Sequence, residues 1–207
     1  MKVLLINGSP RKNGCTYTAL CEVAKPLNEC GIETEIVHIG AKPVRGCIGC
    51  GQCSGKVKCV FDDDITNEII QKAGEADGFI VGSPVYYASP NGTLISLLDR
   101  AFYAGKSNFK SKPAAAIVSA RRGGTTASLE VINKYFTFAE MPLVSSSYWN
   151  MVHGSKPEDV MQDEEGLQIM RNLGRNMAWL LKCIEAGKEK GIECPQNEYT
   201  NRTNFIR

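Results

Sequence analysis

Cys47, Cys50, Cys53 and Cys59 follow one another in the spacing C-x2-C-x2-C-x5-C, with Gly46, Gly49, Gly51 and Gly55 beside and between them. Four thiolates so close in sequence can wrap a compact iron-sulfur cluster, and the glycines supply the turns that wrapping needs. The same residues also read as metal-free thiols, as a structural zinc site, although zinc favours two separated cysteine pairs, or as a disulfide. All four readings stay open at this point. The ferredoxin run does not apply, because the last gap is longer and Val60, not proline, follows. The remaining cysteines, Cys15, Cys21, Cys30, Cys183 and Cys194, are scattered and read as small core or surface residues.

A second chemistry-bearing run is Gly8-Ser9-Pro10-Arg11-Lys12-Asn13-Gly14-Cys15-Thr16. A loop that opens a helix presents unpaired amides at the positive end of the helix dipole, and hydroxyls with an arginine complete a phosphate cradle. Ser9, Arg11 and Thr16 are its first candidates, with Asn13 and Cys15 beside them. Neither the P-loop nor the spaced glycines of a dinucleotide fold fits this run, so a single phosphate is the better ligand. Further on, Pro84, Val85, Tyr86 and Tyr87 lead into Asn91 and Gly92, and Ser119, Arg121, Gly123 and Gly124 form a third loop. Tyrosines with backbone groups can flank a planar ring, and glycines let backbone approach a ligand.

These loops need elements that bring them to one place. Short apolar runs at 3–6, 34–39, 78–83, 114–118 and, more weakly, 143–144 predict five strands. Helical spacing of apolar residues fills 16–29, 65–73, 93–102 and 128–138. Strand and helix alternate, which predicts an α/β fold with a doubly wound parallel sheet of order 2-1-3-4-5. The three loops then share the carboxyl edge of that sheet. Pro26 predicts a kinked or shortened first helix beyond Lys25. Leu173, Met177, Leu180 and Ile184 place an apolar stripe on an additional C-terminal helix over 163–186. Asp62, Asp63 and Asp64 read as a cap on the helix at 65, His38 and His153 as structural, and Trp149 as a core aromatic following a strand.

The chain has 207 residues, 24 Lys plus Arg against 22 Asp plus Glu, and nine cysteines. The near-balance of charge excludes a strongly electrostatic nucleic-acid binder. An odd cysteine count and an apolar start too short for an export signal lead to the expectation of a cytoplasmic protein with reduced thiols and no membrane partner. The organisation expected is one domain over 1–190 and a polar tail over 191–207.

Gly-Ser-Pro-Arg-Lys-Asn-Gly after the first strand, Gly-Ser-Pro-Val-Tyr after the third and a Gly-Gly loop after the fourth resemble the flavodoxin-like NADPH-dependent FMN reductase family. Within it the chain is most similar to the iron-sulfur flavoprotein branch. The resemblance implies FMN at the sheet edge, its phosphate on the loop of residues 8–16 and its ring between residues 84–87 and 119–124. It implies a 4Fe-4S cluster on the four cysteines, whose spacing resembles that branch's compact motif. The implied activity is hydride transfer from NAD(P)H to FMN and onward to a quinone, flavin, nitro compound, metal or iron-sulfur acceptor, with a small molecule or a protein as the electron-accepting partner. An electron carrier and a cysteine-based redox sensor are the alternatives, and NAD(P)H consumption separates them from the reductase. The apolar stripe and the Tyr148-Trp149 pair add the expectation of a homodimer or homotetramer.

Overall fold

The computed structural model describes residues 1–201, 203 and 205. Positions 202, 204, 206 and 207 of the expected tail lie outside the described residues. In chain order the elements are β1 (Lys2–Asn7), α1 (Cys15–Glu29), β2 (Glu33–His38), α2 (Thr66–Glu75), β3 (Gly78–Tyr86) and β4 (Ser89–Pro90). They continue with α3 (Gly92–Phe109), β5 (Ala114–Ala120), α4 (Thr125–Phe138), β6 (Met151–His153), α5 (Pro157–Val160) and α6 (Glu164–Glu189).

The sheet runs β2-β1-β3-β5-β6 with every pair parallel, and the two-residue β4 folds back antiparallel on the end of β3. The five parallel strands thus keep the expected flavodoxin-like order, and the chain reverses direction across the sheet between β1 and β3. Because successive strand residues point to opposite faces, β1 feeds two cores. Leu4 and Ile6 share one core with Phe79 of β3 and with the apolar side chains of α2, α3 and α4, among them Phe102, Phe109 and Phe136. Val3 and Leu5 pack with α1 and α6 on the other face.

Several expectations need correction. The fifth parallel strand is β6, not residues 143–144, which make a single bridge from Leu143 to Ala114. The Val144 amide still bonds the Ala114 carbonyl, but the chain then leaves the sheet as Ser145 and Ser146 turn to α6, bonding Asn176 and the Ile169 carbonyl. It returns only at Met151. Helix α1 runs through Pro26 without interruption to Glu29. A proline costs one backbone bond, and here the ring is buried against α6, where Gly174 would place a Cβ 2.5 Å from Pro26 Cγ. Past Phe102, helix α3 kinks at Gly105 and continues to Phe109, whose ring is stacked 4.2 Å from Phe102.

The α6 stripe is satisfied inside its own chain: Leu173 and Met177 are fully buried, and Leu180 and Ile184 are half-buried. It therefore leaves little apolar surface for a partner. Trp149 is not core; it is 58% exposed and meets Tyr148 edge to face at 4.7 Å. The tail is anchored at Tyr199, whose hydroxyl donates to Glu140 while Lys110 donates to it. No helix among the described residues is long and apolar enough to cross a membrane.

Candidate functional site

The carboxyl ends of β1, β3 and β5 are tied together by four hydrogen bonds. The Gly8 amide donates to the Gly82 carbonyl at 2.8 Å, and the Asn91 side-chain amide donates to the Gly8 carbonyl at 2.9 Å. The Asn91 backbone amide donates to Ser83 Oγ, and the Thr16 and Ser119 hydroxyls meet at 2.8 Å. Thr16, Ser83, Asn91 and Ser119 are accordingly buried, as is Ser9, where the three loops meet in a crevice at the sheet edge. Arg11, Asn13, Gly92, Arg121 and Gly123 are exposed at its rim, and Cys15 is half-buried with its thiol directed to the Gly154 carbonyl.

Helix α1 opens at this crevice with Gly14 as its cap residue and no side chain on its first amides. Its positive end is therefore bare, and the adjacent Arg11 and Lys12 side chains are exposed. Asn7 shapes the loop from below, accepting from the Ser9 amide and donating to the Lys12 carbonyl. His38 closes it from β2, its Nε2 lying 2.8 Å from the Ser9 carbonyl.

Beyond β3, Tyr86 pairs with Ser89, and the two residues between them, Tyr87 and Ala88, both have positive φ (51° and 57°). Such a turn normally carries Asn-Gly; a side chain in the left-handed region costs roughly 1–2 kcal/mol per residue. The turn holds Tyr87 fully in solvent beside the half-exposed Tyr86. Gly124, with φ of +90°, lies against this turn: a Cβ there would sit 2.6 Å from Ala88 Cα and 3.1 Å from Val85 Cγ1. The loops after β3 and β5 are thus in direct contact at Gly124, and Pro84 and Val85 are half-buried behind them.

The cysteine loop lies between β2 and α2. Cys47, Cys50, Cys53 and Cys59 line one pocket, together with Phe61, Arg100 and Tyr103. Gly49, Gly51 and Gly55 all take positive φ. Among the described residues, no three Cys, His, Asp or Glu side chains converge closely enough to hold a metal ion. The four thiols differ in how firmly they are held. Cys59 is buried, its amide and carbonyl both bonded to the Asn67 side chain, whereas Cys47 and Cys50 are exposed and Cys53 half-buried. Asp64 does cap α2 by accepting from the Thr66 amide at 2.9 Å, while Asp62 and Asp63 pair instead with Lys58 and Arg45. Burial pushes the Asp64 carboxyl up, but bonds from Thr66 and the Arg100 guanidinium outweigh it and hold it below the usual carboxylate range.

Sequence reasoning overlooked Asn7, Asn67 and Arg100. An asparagine two residues before a loop amide is a recognised turn signal, so Asn7 was legible. Arg100 was not, because a lone arginine in an apolar helix normally reads as a solvent-facing position.

Residues 1–156 match the family model described as NADPH-dependent FMN reductase. The chain is 35% identical over 193 residues to an iron-sulfur flavoprotein of Methanocaldococcus jannaschii, covering 89% of this chain and all of that one. Among solved structures, a flavone reductase superposes with a TM-score of 0.68 at 18% identity, over 89% of this chain and 64% of its own. An archaeal flavodoxin gives 0.60 at 16% identity, over 88% and 99%. The fold, the three-loop crevice and these likenesses agree, and the chain belongs to the NADPH-dependent FMN reductase family, in its iron-sulfur flavoprotein branch.

Proposed function

We propose that the protein is an FMN-dependent oxidoreductase that takes hydride from NAD(P)H and passes electrons to a small-molecule or protein acceptor. The observation that carries this reading is the bare amino end of α1 beside Arg11, at the β1/β3 reversal point of a flavodoxin-like sheet. Those groups fit one phosphate. Ser9, Arg11, Asn13, Cys15 and Thr16 would surround it, and Pro84, Val85, Tyr86, Tyr87, Asn91, Gly92, Ser119, Arg121, Gly123 and Gly124 would frame the ring. When bound, FMN supplies hydride acceptance and onward electron delivery. The chain orients the ring by the contact of Gly124 with the Tyr87-Ala88 turn, and it offers charge to a dinucleotide through the exposed Arg121 and Arg122.

The likeness to iron-sulfur flavoproteins favours a second component. Cys47, Cys50, Cys53 and Cys59 have the donor chemistry and share one pocket, so they would hold a 4Fe-4S cluster after the exposed part of the loop closes on Cys59. In that case the cluster supplies one-electron exchange with an acceptor. Anaerobic assay of the FMN-loaded protein with NADH, NADPH and a quinone or one-electron acceptor tests the reading. Sustained NAD(P)H consumption supports a reductase. Flavin that is reduced only by a partner protein or chemical donor would make the protein an electron carrier instead.

A further inference from the structure

Arg100 is 1% exposed, in the middle of α3, and its guanidinium faces the cysteine pocket. Each of its three nitrogens has a partner. Nη2 bonds the Phe61 carbonyl at 2.9 Å, while Nη1 bonds the Arg45 carbonyl and the Asp64 carboxylate. Nε points elsewhere, to Cys59 Sγ at 3.5 Å, within reach of a hydrogen bond to sulfur. The two Nη groups alone would pin the loop to α3, so a purely structural role leaves the Nε contact unexplained. Cys59 is also the one thiol whose backbone is fixed on both sides by Asn67.

We propose that Arg100 is a positioning residue for the cysteine-held centre: its Nε-H fixes the Cys59 sulfur and biases the centre toward its reduced state. This rests on the reading that the four cysteines hold a cluster. One electron from the reduced flavin adds one negative charge to such a centre, with no bond made or broken and Cys59 remaining a thiolate ligand. An N-H donated to a ligand sulfur, with a buried cation behind it, offsets that added charge and favours reduction. Asp64 opposes the effect by neutralising the guanidinium. The two residues therefore act in opposite directions.

The test is a mediated redox titration, followed by electron paramagnetic resonance, of anaerobically reconstituted wild type, Arg100→Lys and Asp64→Asn, with iron and FMN assayed first. Arg100→Lys keeps the positive charge but loses the directed Nε-H; it should retain iron while its reduced-to-oxidised ratio at fixed potential falls about tenfold, a shift of about 59 mV to lower potential. Asp64→Asn keeps the Nε-H and should shift the other way. If both variants retain iron at the wild-type potential, or both shift in the same direction, the proposal is overturned while the cluster reading stands. If Arg100→Lys does not fold, the sign for Asp64→Asn decides: a rise supports the proposal, and no change or a fall overturns it. Wild type that takes up no iron overturns both, and the iron assay shows this before any potential is measured.

Discussion

Arg11 and Gly124 carry the crevice in different ways, one by charge and one by lacking a side chain. Arg11 is exposed, beside amides that α1 leaves free, so its removal should spare the fold. A charge-assisted bond to a phosphate is worth about 1.5–3 kcal/mol, so Arg11→Ala should weaken FMN roughly ten- to a hundred-fold, read by flavin fluorescence titration. An unchanged dissociation constant would remove Arg11 from the site. Gly124→Ala should do the opposite, straining the fold, because its Cβ would meet Ala88 Cα at 2.6 Å with φ at +90°. Overpacking of this kind costs about 1–3 kcal/mol, so urea unfolding should shift to lower denaturant, together with loss of FMN. The Gly-Gly motif was legible in the sequence. The Tyr87-Ala88 turn was not, since nothing in Tyr-Ala announces two left-handed residues.

Strand order, the three-loop edge and the position of the cysteine loop all followed from where apolar runs alternate with helical spacing. The failures came where tertiary contacts override local preference. Pro26 stays helical because α6 packs on it, and residues 143–144 yield to Met151–His153 because the serines after them bond α6. The α1 and α6 pairing depends on Gly174, whose Cβ would lie 2.4 Å from the Val23 carbonyl oxygen and 2.5 Å from Pro26. Backbone cannot give way there as a flexible side chain would. Gly174→Ala gains helix propensity of up to about 1 kcal/mol but loses the close approach, and a net destabilisation of about 1–3 kcal/mol is expected in denaturant melts. A gain in stability would show that α6 is free to move off α1.

At the level of the complete chain, the exposed aromatics bear on assembly and the loops on cofactor content. We propose a homo-oligomer on different grounds from the α6 stripe, which the chain buries by itself. Tyr148, Trp149, Phe138 and Trp179 are all more than half exposed, and we take them as the surface that meets a second copy. Light scattering of FMN-loaded protein at micromolar concentration should give a dimer or tetramer, and a monomer would contradict the proposal. On this reading one chain carries a flavin crevice and a cluster loop built by separate elements. Flavin and iron analysis of protein purified without oxygen, beside a Cys59→Ala variant prepared the same way, tests it most directly. One FMN and about four irons per wild-type chain are expected, and FMN with lost or degraded iron in the variant. Wild-type protein that binds no FMN after reconstitution, or that binds FMN but no iron when supplied with iron and sulfide, would contradict it.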